Sequence, residues 1–113
     1  MDKVDFFVNT SPEDAANKVY YAVTQSLSGE LIDEYRRNLD NGKKVIMLVF
    51  EKYYMRSSNR ATLTMVADNL DGMTKVHLSS GGGGDGRLFR FSWGANSSFL
   101  NLAKKALEEE IVE

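Results

Sequence analysis

Phe50-Glu51-Lys52-Tyr53-Tyr54-Met55-Arg56-Ser57-Ser58-Asn59-Arg60-Ala61-Thr62-Leu63-Thr64-Met65-Val66 reads as a β-hairpin. Two β-rich runs flank a short polar turn, Ser57-Ser58-Asn59, with Arg56 and Arg60 on either side of it. The strand before the turn begins near Lys44. Its first half, Val45-Ile46-Met47-Leu48-Val49-Phe50, is apolar at every position, the pattern of a central strand covered on both faces. Its second half turns polar and aromatic through Glu51, Lys52, Tyr53 and Tyr54. After the turn, Ala61 to Asp68 alternates, with Leu63, Met65 and Ala67 on one face and Thr62, Thr64 and Val66 on the other.

Upstream of the hairpin, Asp40-Asn41-Gly42 supplies an Asn-Gly pair, a strong short-range signal for a tight reversal. It favours a strand over Glu30 to Leu39. Ile32, Tyr35 and Leu39 also fit a helical stripe, with Asp33 one turn from Arg37, and the sequence alone does not decide between the two. Val4 to Asn9 suits a first strand. Ser11 then caps a helix with Pro12 at its first position, and Glu13 and Asp14 complement the positive end of the dipole. Ala16, Val19, Tyr20, Val23 and Leu27 form its apolar stripe, and Ser28-Gly29 stops it.

Downstream, Asp71-Gly72 marks another turn. Thr74 to Ser80 places Val76 and Leu78 on one face and Lys75, His77 and Ser79 on the other. Gly81 to Gly86 reads as a hairpin loop, and Arg87 to Trp93 as a last strand with Phe89, Phe91 and Trp93 on one face. Gly94 breaks that strand. Asn96, Ser97 or Ser98 caps a final helix whose stripe is Phe99, Leu102, Ala103, Ala106 and Leu107. Glu108, Glu109 and Glu110 then set negative charge at the negative end of the dipole, which reads as a frayed, solvated end. The order β-α-β-β-β-β-β-α predicts an α+β fold: an antiparallel meander of five or six strands with an N-terminal and a C-terminal helix on one face. The element order is similar to the helix-grip arrangement of START-like lipid-binding domains, although this chain is shorter, which argues against a large ligand cavity.

The 113 residues suit one domain, 1–113, able to bury a core without staples. Hydrophobic content of 42% and charged content of 27% are ordinary for a globular protein. A net charge of −2 argues against nucleic acid as a partner, since that binding draws on clustered cations. With no cysteine there are no disulfides, thiolate metal sites or cysteine nucleophiles. The first residues carry no secretory pattern and no run is long enough for a membrane span, so a soluble cytoplasmic protein with no membrane partner is the expectation.

The run Leu48 to Thr64 resembles the central motif of a family of small uncharacterised proteins from Firmicutes, chiefly clostridia. Asp68-Asn69-Leu70-Asp71-Gly72, Phe91-Ser92-Trp93-Gly94-Ala95 and the glycine-rich loop fit the same pattern. The resemblance spans nearly the whole chain. It implies a stand-alone domain of unknown function and carries no catalytic residues with it.

Candidate chemistry is sparse. Glu51, Tyr53, His77 and Arg90 are polar groups on strands that can be neighbours; a carboxylate, a phenol and an imidazole act as acid and base where they converge. Cross-strand pairing on a solvated face is the preferred reading of the same residues. His77 is the one histidine, a poor basis for a metal site, and nothing matches a calcium loop. The glycine run lacks the Lys-Ser/Thr of a phosphate loop, so a flexible hairpin loop is preferred over an anion cradle. Arg56 and Arg60 can clamp an anion together, or pair with Glu51 or Asp68. Trp93 is expected where sheet meets helix, at the rim of any cavity between the layers. The sequence thus favours a binding module, without cofactor, built on Glu51, Tyr53, Arg56, Arg60, His77 and Trp93. Its ligand is either a small amphipathic molecule held between the layers or a protein partner at the sheet edge or acidic helix end. The alternative is an enzyme using Glu51, Tyr53 and His77.

Overall fold

The computed structural model describes residues 2–55, 58–82 and 89–112. The elements run β1 (Asp2–Val8), α1 (Pro12–Thr24), β2 (Glu30–Asn38), β3 (Lys44–Tyr54), β4 (Asn59–Asp68), β5 (Thr74–Gly82), α2 (Phe89–Ala106) and β6 (Ile111–Val112). The strands form one open sheet in the order β2-β3-β4-β5-β1-β6, with every neighbouring pair antiparallel. This is an α+β fold.

The hairpin forms as its sequence demands: Phe50 pairs with Leu63, and Tyr54 with Asn59 at the turn. Ser58 has a φ of 54°, while Arg56 and Ser57 lie outside the described residues. Glu30–Asn38 is a strand, so the Asn-Gly signal outweighs the helical stripe. Asn41 and Gly42 both adopt positive φ, 65° and 75°, a conformation these two residues tolerate better than others.

The α1 start is as expected. Ser11 Oγ accepts a hydrogen bond from the Asp14 amide at 3.0 Å, and Pro12 occupies the first turn, where no N–H is needed. Its buried face is Ala15, Ala16, Val19 and Val23; Tyr20 is largely exposed and Leu27, past the helix end, is 77% exposed. The last turn has no basic residue of its own. Lys52 on β3 takes that role, donating to the Leu27 carbonyl and, at 3.0 Å, to Ser26 Oγ, while lying 5.5 Å from the Tyr54 ring centroid. The neighbouring Ser28 hydroxyl donates to the Tyr53 carbonyl at 2.8 Å and accepts from the Tyr53 amide at 3.0 Å. The α1–β2 link is thereby fastened to the end of β3.

The carboxyl-terminal third departs from the sequence reading. Phe89 to Trp93 is helix, not strand, and α2 runs 18 residues through Gly94, Asn96, Ser97 and Ser98. The alternation of Phe89, Phe91 and Trp93 covers only five residues. Phe89 and Trp93 also stand four apart and extend the helical series Phe99, Ala103, Leu107 backwards, and the longer period wins despite about 1 kcal/mol for a glycine inside a helix. The sixth strand is instead Ile111–Val112, which pairs with Val8 and Phe7. Nor is the acidic end frayed. Glu108–Glu110 forms a tight turn, Glu110 meets Lys18 at 3.0 Å, and its carbonyl accepts from the Asn9 amide at 2.9 Å. Of the glycine run, Gly81 and Gly82 belong to β5, opposite Thr62 and Ala61, and residues 83–86 lie outside the described ones.

One face of the sheet carries the core. Ile46, Leu48 and Phe50, then Leu63, Met65 and Ala67, then Val76 and Leu78 pack against the buried faces of α1 and, from α2, Phe99 and Ala103. Phe50 and Phe99 are fully buried. Truncating a buried Phe costs about 3–5 kcal/mol, a large share of the about 5–15 kcal/mol that holds a small domain together. Phe99→Ala is therefore expected to lower denaturant stability by that amount. A loss below about 1 kcal/mol, the range of surface substitutions, would show that α2 is dispensable to the core.

Tyr54 packs edge-on against Phe99 with ring centroids 6.3 Å apart, and burial pushes its phenol up to about 12. A folded pKa above the ordinary value of 10.0 means stability is intact below pH 10 and falls as pH rises toward 12. An alkaline absorbance titration should show a late-ionising phenol that disappears in Tyr54→Phe; a late phase unchanged in that variant, or absent from the wild type, would contradict the burial of Tyr54.

Candidate functional site: the uncovered face of the sheet

Both helices lie on the same side, so the other face of the sheet has no cover among the described residues. The all-apolar run at 45–50 predicts cover on both faces. The structure corrects this: Ile46, Leu48 and Phe50 are buried, while Val45, Met47 and Val49 point to the open side and are partly exposed.

Strand register lays out that open face. Across its middle run Tyr35, Met47, Val66, His77 and Asp5. On one side of this row lie Arg37, Val45, Asp68, Lys75 and Phe7; on the other, Asp33, Val49, Thr64, Ser79 and Lys3. The apolar residues Val45, Met47, Val49 and Val66 lie toward the β2 side of this face beside Tyr35, which is 50% exposed, while Asp68, Lys75, His77 and Asp5 separate them from Phe7 on β1, which is 40% exposed.

Four of the sequence-derived site residues, Glu51, Tyr53, Arg60 and His77, project to this side. Glu51, Tyr53 and Arg60 come together near the hairpin turn. Arg60 Nη1 donates to Glu51 Oε1 at 2.8 Å, and its guanidinium carbon lies 5.9 Å from the Tyr53 ring centroid. The side chains are exposed enough that this ion pair contributes little to stability. His77 stands apart, two strands over and four residues along, on the order of 15 Å away by ordinary sheet spacings. Its Nδ1 lies 2.6 Å from Asp5 Oδ1. Trp93 is in α2 and its side chain, like that of Arg90, lies outside the described ones; Arg56 is outside the described residues altogether. Among the described residues, no three acidic or histidine side chains group as metal ligands. No described helix is long and apolar enough to cross a membrane.

Other concave features do not gather these residues. A crevice of about 520 Å³ lies at the α1 start, lined by Asn9, Thr10, Ser11, Asn69 and Thr74 among others. A smaller one, about 220 Å³, opens between α1 and β2 beside Tyr20, Leu31 and the Glu34–Arg36 ion pair. The free edge of β2 is a poor template for another strand: its register shifts at Ile32, and Asp33, Glu34, Arg36 and Arg37 crowd it with charge.

Comparison with known proteins adds a class without a chemistry. A model described as a family of unknown function, DUF6054, matches residues 1–111. The chain belongs to this family. No curated protein matches it. In this DUF6054 member the open sheet face was half-legible: its apolar residues stand in the sequence, but which side the helices take does not. Asp5 and Arg37 went unremarked as site residues, because only the strand register carries them to that face.

The Asp5–His77 contact gives a direct test of the register. The hydrogen bond from His77 holds the Asp5 carboxyl below its ordinary 3.8; slight desolvation opposes it, and the charges of His77, Lys75 and Lys3 add to it. Because the folded pKa is the lower one, the associated stability is present above the unfolded value and lost as pH falls through the folded one. NMR titration of side-chain carboxyls should place Asp5 below 3.8 in the wild type and return it toward 3.8 in His77→Ala. An unchanged Asp5 would exclude the contact in solution.

Proposed function

We propose that this DUF6054 protein is a binding module whose ligand is another folded protein, held against the uncovered face of its sheet. The observation that carries this reading is the mismatch at β3. Its sequence is that of a strand covered twice, and the chain's own helices supply one cover. Val45, Met47, Val49 and Val66, with Tyr35 beside them, form an apolar patch on the β2 side of the face, bordered by charged and polar residues, a surface suited to a protein partner.

The other readings have less behind them. A small amphipathic ligand between the layers competes with a core already filled by Phe50, Phe99, Leu63 and Leu78, and the crevice of about 520 Å³ at the α1 start, though of ordinary size for a ligand site, is lined by none of Glu51, Tyr53, Arg60 and His77. The sheet edge is bulged and charged, and Glu110 at the acidic end is engaged with Lys18. An acid–base enzyme built on Glu51, Tyr53 and His77 needs them convergent, whereas Glu51 pairs with Arg60 and His77 with Asp5.

A photo-crosslinking residue placed at Met47 in cells that make the protein naturally is expected to give discrete cross-linked species. The same residue at Tyr21, exposed on α1, should not, and adding Val49→Lys should suppress the product at 47. Equal labelling at both positions, or none at 47, would remove the open face as the site.

A further inference from the structure

We infer that the protein held on the open face is a second copy of this chain, its sheet stacked on the first about a two-fold axis that crosses the strands at Tyr35, Met47 and Val66. This deepens the reading above and rests on it.

The register makes the β2 and β3 part of the face self-complementary under that rotation. Arg37 and Val45 are a cross-strand pair one step to one side of the Tyr35–Met47 pair; Asp33 and Val49 are a pair one step to the other. Turning one copy over about the middle row sets Arg37 of each chain against Asp33 of the other, twice. It sets Val45 against Val49, and Met47 and Val66 against their own mates. On β2, β3 and β4 the alignment puts opposite charges together at Arg37 and Asp33 and apolar residues together at Val45, Val49, Met47 and Val66, while it sets Asp68 against Thr64 and, on β5 and β1, His77 and Asp5 against their own mates and Lys3 against Phe7.

The two rim charges are also available. Among the described residues neither Asp33 nor Arg37 takes part in an ion pair. Asp33 Oδ1 accepts the Glu34 amide at 2.9 Å, which leaves its second oxygen for an incoming guanidinium. The remaining charges largely answer one another within the chain: Asp5 with His77, Glu51 with Arg60, and Asp68 beside Lys75 in register. A face so balanced offers nothing to an anionic polymer or an acidic lipid surface, and it matches another balanced face.

The whole five-strand face is at the small end of the range for a specific interface. Five strands about 4.8 Å apart and roughly 20 Å of strand length give about 500 Å² in projection, more along the corrugated surface. A standard interface takes about 800 Å² from each partner. Stacking of sheets with strands within about 30° of parallel is an ordinary way to bury a second sheet face.

The test is a reciprocal charge exchange, read by analytical ultracentrifugation at a series of concentrations up to about 100 µM, where a standard interface is well populated. The wild type is expected to be dimeric. Asp33→Arg alone places Arg against Arg at both contacts, and Arg37→Asp alone places Asp against Asp, so each should weaken dimerisation by about tenfold or more. Mixing the two single variants restores both attractive contacts and should give the heterodimer in preference to either homodimer. Far-UV circular dichroism checks that each variant is folded; both positions are exposed. A monomeric wild type, or single variants as dimeric as the wild type, would overturn the inference. A monomer that still cross-links at Met47 to a different protein would overturn it while leaving the open-face reading intact. Loss of both signals would take down the two together.

Discussion

The burial of a single sheet face is the constraint on which this structure depends. α1 and α2 supply one layer, and the apolar side chains of β3, β4 and β5 that meet it form one contiguous cluster, from Ile46 and Leu48 through Leu63 and Met65 to Val76 and Leu78. Everything local serves to hold that layer in place. Lys52 fastens the end of α1, Ser28 clamps the following link to β3, and Ile111–Val112 returns the end of α2 to β1. Each is a polar or backbone device at the margin of an apolar contact, modest alone and effective because it limits where the helices can slide.

The same constraint creates the open side. A strand with small or polar residues on its outer face would be content in water. Here Val45, Met47 and Val49 put branched and thioether side chains there, with Val66 beside them. Their presence is not required by the core, since Ile46, Leu48 and Phe50 already satisfy it. These four side chains are partly buried against their strand neighbours, so they add cross-strand contacts to the sheet as well as apolar surface to its open side.

Much of the fold was legible because local and global signals agree. Ser11-Pro12 starts α1, Asn41-Gly42 reverses the chain between β2 and β3, and the alternation in Ala61–Asp68 sets which residues of β4 face the core. The reading failed where a short stretch satisfies two periods. Phe89-Arg90-Phe91-Ser92-Trp93 fits a strand over five residues and a helix over the longer series to Leu107, and the segment is helix, continuous with the turns that bury Phe99 and Ala103. Composition gave β3 an apolar pattern without saying how many layers lie over it, which is a property of the helices and not of the strand. The spread of Glu51 and His77 was likewise hidden, because it follows from strand order and register, and neither is local in sequence.

The irregularity in β2 has a consequence for numbers of molecules. An exposed strand in regular register invites a neighbour, which brings its own exposed strand and invites the next; such growth has no natural end. The shift between Leu31 and Asp33, with charged side chains along the rest of the strand, closes that route at one border of the sheet, and β6, two residues long, offers little at the other. Contacts made through the broad face are of the opposite kind: once two faces are joined, neither remains. Under the proposed stacking, dull edges and a single joining face would make the assembly finite.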